Sequence, residues 1–201
     1  DTASYSLIRR HLTDGQPPPK GAVRIEEMIN YFSYAYPEPE GDRPFSVSSE
    51  VGAAPWAPQH RLLKLGLKGK HVTPAEVPGT NLVFLIDTSG SMNDENKLPL
   101  LKQAFALLVQ QLDAIDRVSI VAYAGSAGVV LPPTPGDQRG AIVGALDRLE
   151  AGGSTNGGEG IQLAYKLAAE GFVKGGINRV VLATDGDFNV GVTSQSDLID
   201  L

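Results

Sequence analysis

The sequence predicts an α/β protein built on an open, doubly wound, mostly parallel sheet, and three observations carry that prediction. From residue 80 onward, apolar runs of strand length alternate with segments whose apolar residues recur at helical spacing. The first of these runs, 82–86 (LVFLI), is apolar without interruption, as suits a central parallel strand covered on both faces. Before residue 75 the texture differs, with prolines and aromatics punctuating shorter elements. The chain therefore divides into a small α+β extension over 1–75 and an α/β domain over 76–201.

In the extension, 16–20 (QPPPK) reads as a stiff extended spacer. Residues 23–34 place Ile25, Met28, Ile29 and Phe32 on one helical stripe. Three prolines make 36–44 a loop, after which Phe45, Val47 and Val51 suggest a strand. Leu63, Leu65 and Leu67 alternate with Lys64, Gly66 and Lys68, the pattern of a half-buried strand. Trp56, Tyr31, Phe32, Tyr34 and Tyr36 form an aromatic group, expected to pack the extension onto the sheet, with a partner interface as the alternative. Pro74, Pro78 and Gly79 mark a linker.

In the domain, Leu101, Ala104, Phe105, Leu108, Val109 and Leu112 give a helix over 98–112, with Pro99 acceptable in its first turn. Strands follow at 118–123 and, briefly, at 129–131, the latter ended by Pro132 and Pro133. Ile142, Ala145, Leu146 and Leu149 mark a second helix; Ile161, Ala164, Tyr165, Ala168 and Phe172 mark a third; 180–183 is a further buried strand. Crossovers between such parallel strands are right-handed.

Composition narrows the function. The 201 residues are 42% hydrophobic and 20% charged, ordinary for a folded chain. The net charge of -6 and the lack of a Lys/Arg cluster argue against nucleic acid as a partner. With no cysteine, thiolate metal sites, disulfides and cysteine nucleophiles are excluded. No apolar run approaches the ~20 residues that span a bilayer. The chain opens on Asp1 rather than methionine, so residues upstream are expected.

Ligands of open α/β sheets sit beyond the carboxyl ends of the strands. There this chain places Asp87-Thr88-Ser89-Gly90-Ser91, a carboxylate and two hydroxyls at alternate positions on a glycine turn. After the last visible strand comes Thr184-Asp185-Gly186-Asp187, and between them the hydroxyl-bearing glycine loop 152–158 containing Thr155. These are hard oxygen donors, which select Mg2+, Ca2+ or Mn2+ without separating them and disfavour zinc and copper; Mg2+ is the ion expected. A divalent ion held by few carboxylates keeps positive charge and an open or water-filled position, which an acidic group of a partner can take. Asp94 and Glu95 are expected to favour the start of the following helix through its dipole. Any one of these loops alone is an ordinary turn or helix cap; Asp187 reads as a solvated loop residue.

The segment 81–92 (NLVFLIDTSGSM) resembles the opening strand and metal loop of von Willebrand factor type A domains, and GGSTN and ATDGDFN resemble that family's later metal loops. The resemblance implies a Rossmann-like fold and a metal-ion-dependent adhesion site whose ligands are Asp87, Ser89, Ser91, Thr155 and Asp185. It implies a partner protein presenting an exposed Asp or Glu. The stretch before it is similar to the N-terminal segment of a bacterial, exported branch (YfbK-like), which implies a periplasmic or cell-surface location. The family's sheet continues with further strands and a helix, so the C-terminal part of the sheet is expected to be missing from this chain.

Enzymatic readings fare worse. Asp87-Thr88-Ser89-Gly90 is compatible with an aspartic-protease loop, but that chemistry needs a second such loop. A phosphatase using Asp87 as nucleophile calls for a second Asp where Ser89 stands. The glycine loop lacks the Lys of a phosphate loop, and His11, His60 and His71 all lie in the extension. A scaffold in which the ion merely stiffens loops is the remaining alternative.

Overall fold

The computed structural model describes residues 2–73, 77–153 and 157–186. The chain divides into two compact units, Asp1–Thr73 and Pro74–Leu201. Thr155, Asp187, Pro74 and the segment 187–201, where the next helix was expected, lie outside the described residues.

The first unit contains α1 (Ala3–Thr13), α2 (Ile25–Asn30), β1 (Phe45–Ala53) and β2 (Arg61–Gly69). The sequence pattern did not anticipate α1. Glu27 ties it to α2: the residue is 5% exposed, and its carboxylate accepts the Ser4 backbone N–H at 2.9 Å and the Arg24 guanidinium at 3.0 Å. Tyr5 of α1 also stacks on Tyr31, centroids 3.9 Å apart, and meets Phe32 edge-on at 5.4 Å. The helix expected over 23–34 shrinks to six residues, because beyond Tyr31 the aromatics serve other contacts. Tyr34 and Tyr36 stack on each other, and the Lys64 ammonium lies 5.4 Å from each ring. Ile25, Ile29, Phe32 and Trp56 are exposed.

β1 and β2 form an antiparallel ribbon, register Phe45↔Gly69 to Ala53↔Arg61. Opposed residues share a face, so Val47, Val51, Leu63, Leu65 and Leu67 are gathered on one side and Glu50 and Lys64 on the other. The alternation was read correctly, but the half-buried expectation needs correction. Leu63, Leu65 and Leu67 are 58%, 59% and 68% exposed, since a two-stranded ribbon has no second layer of its own to cover a face.

The second unit runs β3 (Thr80–Asp87), α3 (Leu98–Val109), β4 (Arg117–Tyr123), β5 (Ala127–Pro135), α4 (Arg139–Asp147), α5 (Gly157–Glu170) and β6 (Ile177–Ala183). Strand order is β5-β4-β3-β6; β4 and β6 are parallel to β3, and β5 is antiparallel to β4. Helices cover both faces. Phe84 and Ile86 of β3 and Val118 and Ile120 of β4 pack with Phe105 and Val109 of α3 and Ile142 and Leu146 of α4. Val83, Leu85, Val121 and Tyr123 face Ala164 and Leu167 of α5.

Three expectations change. β5 is nine residues long and runs through Pro132 and Pro133, which an edge strand tolerates because its outward side needs no ladder donors. α3 ends at Val109, not 112. Tyr165 lies off the buried stripe of α5 at 61% exposed, while Leu167 takes the core position, and Phe172, beyond the end of the helix, is 62% exposed.

Candidate metal centre

Register brings the relevant strand ends together. Asp87, the last residue of β3, pairs with Tyr123, the last of β4; Ile86 pairs with Ala183, so Thr184 and Asp185 leave the sheet beside it. Asp87, Thr88 and Ser89 are 0%, 7% and 4% exposed, and Met92 anchors the short 3-10 turn Gly90–Asn93 in the core. Ser91 is exposed and opens the site to solvent.

The carboxylate of Asp87 is fully buried. Its Oδ1 accepts the Ser89 N–H at 2.8 Å; its Oδ2 accepts the Thr184 hydroxyl at 3.2 Å and, at a long 3.4 Å, that of Tyr123. Among the described residues these hydrogen-bond partners are all neutral. Burial, with the nearby Asp87 charge adding to it, pushes the Tyr123 phenol up to about 12, so it stays protonated and can only donate to the carboxylate at physiological pH. The Ser89 and Ser91 hydroxyl oxygens are 3.1 Å apart. Adjacent ligands of an octahedral ion bound at about 2.1 Å are separated by about 3.0 Å, so this pair has the spacing of one edge around Mg2+. Oxygen donors, a buried charge and that spacing fit a hard divalent cation.

The loops are tied by their own backbones. Gly152 N–H donates to Thr88 O at 2.7 Å, and Gly90 N–H to Gly153 O at 3.2 Å. Gly153 adopts φ +84°, a conformation that favours glycine. Thus the start of the glycine loop lies against the Asp87–Ser91 turn; Thr155, two residues beyond Gly153, is not described. Of the five expected ligands, Asp87, Ser89, Ser91 and Asp185 can be placed. Among the described residues no three of His, Asp and Glu gather into a ready chelate.

Asp94 and Glu95 stand just ahead of α3. The first turn itself contains no acidic residue, and Asp94 approaches the Lys97 ammonium at 3.6 Å. Lys97 itself was not singled out by the sequence pattern. Its Nζ donates to Asp185 Oδ2 at 3.0 Å and to Ser91 O at 2.8 Å; the Asp185 side chain is 11% exposed. The hydrogen bond to Asp185, outweighing desolvation, raises the Lys97 pKa above its ordinary value. A signal was present: lysine occupies the N-cap of α3, where Ser, Thr, Asp or Asn is favoured.

A sheet with helices on both faces, whose carboxyl edge gathers hydroxyls and two carboxylates, defines an α/β domain of Rossmann-like type with an oxygen-lined edge. The chain belongs to the von Willebrand factor type A domain family: that family's profile matches residues 82–187, and one described as von Willebrand factor matches residues 1–64. Within the family it falls in the branch of the uncharacterized protein YfbK from Escherichia coli (strain K12), to which it is 47% identical over 205 residues, 98% of this chain and 36% of that protein. The uncharacterized protein sll0103 from Synechocystis is 35% identical over 107 residues, 53% of this chain and 25% of its own. The chain thus spans 25–36% of the length of these curated relatives. A von Willebrand factor type A structure from Catenulispora acidiphila shares the fold, with a TM-score of 0.51 over 78% of this chain and 36% of that one at 23% identity. Domains of this family are typically protein-interaction modules, some of them metal-dependent.

Proposed function

We propose that this chain is a metal-dependent protein-binding module. A divalent cation, Mg2+ first and Ca2+ or Mn2+ by the same donors, is held by Asp87, Ser89, Ser91, Thr155 and Asp185. When bound, it supplies an electrophilic position for an Asp or Glu carboxylate of a partner protein. The observation that carries this reading is Asp87, a fully buried carboxylate whose described hydrogen-bond partners are neutral. A carboxylate buried among neutral partners gains from a cation placed beside it. Ser89 N–H and Thr184 orient that carboxylate, and the Ser89 and Ser91 hydroxyls, hydrogen-bonded to each other at 3.1 Å, supply oxygen donors beside it.

The scaffold reading is weaker, because the first two loops are already joined by backbone hydrogen bonds and need no ion to meet. A hydrolase is less well supported: the histidines all lie in the first unit, and burial pushes the Tyr123 phenol beside Asp87 up to about 12. An exported, periplasmic or cell-surface location belongs to the same proposal, and a cysteine-free chain is compatible with an oxidising compartment. No helix among the described residues is long and apolar enough to cross a membrane.

The test is capture of partners from the source cell by immobilised protein, with Mg2+ or with chelator. Partners should be retained only with Mg2+, and Asp87→Ala should lose them while keeping its circular dichroism spectrum. Equal capture by Asp87→Ala, or in chelator, would end this reading.

A further inference from the structure

Lys97 sits where helix physics disfavours it. It is the N-cap residue of α3, with φ -117°, ψ -109° and no side-chain capping bond. A helix N-terminus presents unsatisfied N–H groups and a partial positive charge, so an ammonium at this position is repelled by its own helix. A residue that breaks a local rule needs a compensating interaction elsewhere. The compensation here comes from the metal loops: Asp185 Oδ2 at 3.0 Å, Ser91 O at 2.8 Å and Asp94 Oδ2 at 3.6 Å. Two of these three acceptors belong to candidate ligand residues on different loops.

We propose that Lys97 is a tethered counter-cation of the edge site, competing with the divalent ion for the Asp185 carboxylate and so setting the ion affinity of the site. This rests on the metal-binding reading given above. The side chain of Asp185 is only 11% exposed, which limits the room for both cations to be served at once. The Lys97 side chain is 29% exposed, so it can swing outward and leave Asp185 to the ion. While it donates to Asp185 Oδ2 and Ser91 O, the ammonium opposes an incoming cation, which must displace it from Asp185. The consequence is a site of moderated affinity whose ion exchanges, rather than one that traps it. Lys97 is a positioning residue: it orders Asp185 against the Ser91 turn and need not touch the ion.

The test uses the full chain and Mg2+ alone. Affinity is measured by isothermal titration calorimetry, and melting temperature with and without Mg2+, at constant ionic strength, for the parent, Lys97→Gln, Lys97→Met and Lys97→Arg. Lys97→Gln keeps a donor for Ser91 O but removes the charge; its Mg2+ dissociation constant should fall roughly threefold or more. Lys97→Met should follow it, and Lys97→Arg, which keeps the charge, should stay within about twofold of the parent. Both neutral variants should also melt lower without Mg2+ and gain more from it than the parent does. Either neutral variant suffices if the other fails to fold. Unchanged or weaker Mg2+ binding in a folded neutral variant overturns the role of Lys97 and leaves the site reading standing. A parent that binds Mg2+ no better than Asp87→Ala overturns the site reading, and the role of Lys97 with it.

Discussion

Asp87 is the residue on which the account turns. It ends the central strand, is fully buried, and is surrounded by donors on the two neighbouring strand ends. Its position could be read in advance, because an uninterrupted apolar run fixes where a buried strand ends and which residues leave its carboxyl end. Tyr123 and Lys97 could not be read that way. Their relation to Asp87 and Asp185 spans 36 and 88 residues of sequence and exists only once the strands are in register. Gly160 shows how tightly this neighbourhood is built. A Cβ there would lie 3.1 Å from Tyr123 Cβ and from Leu85 Cδ1, closer than ordinary van der Waals contact. Alanine gains about 1 kcal/mol of helix propensity over glycine, whereas overpacking a core costs about 1–3 kcal/mol. Gly160→Ala is therefore expected to destabilise the protein by about 1 kcal/mol in urea unfolding. A stabilised variant would show that α5 is free to move off Tyr123.

At the scale of elements, periodicity succeeded where each element has a layer to pack on. β3 and β4 and the buried stripe of α4 follow the expected positions to within a residue or two. It failed where the environment is one-sided. β5 passes through two prolines because it is an edge, and α5 buries Ala164 and Leu167, three residues apart on one face, which leaves Tyr165 off that face and exposed. In the N-terminal unit, alternation identified which ribbon residues share a face but carried no information on what covers it. The link between α1 and α2 gives a pH prediction. Hydrogen bonds from the Ser4 backbone and hydroxyl, then Arg24, hold the Glu27 carboxyl below its ordinary 4.5 against the opposing effect of burial. The unfolded chain then takes up a proton at a higher pH than the folded one. The Glu27 contribution is complete above the unfolded value and is lost as pH falls through the folded one. Glu27→Gln should be less stable than the parent at neutral pH and should lose less stability between about pH 5 and pH 3. Parallel melting curves across that window would show that Glu27 is not linked to folding.

For the whole molecule, two compact units, a family profile on each and a shared fold with von Willebrand factor type A structures describe a chain that covers 25–36% of its curated relatives. The interaction surface we propose occupies one edge of the second unit, where three strand ends and the glycine loop converge. The central claim is that this edge holds a divalent ion between Asp87, Ser89, Ser91, Thr155 and Asp185. The most direct measurement is a crystal structure of the full chain grown with Mn2+ and recorded at the manganese absorption edge. The account predicts one strong anomalous peak with the Ser89 and Ser91 hydroxyl oxygens at about 2.2 Å and Asp87 and Asp185 directed to it. A peak elsewhere on the chain, or a well-ordered edge with none, would contradict it.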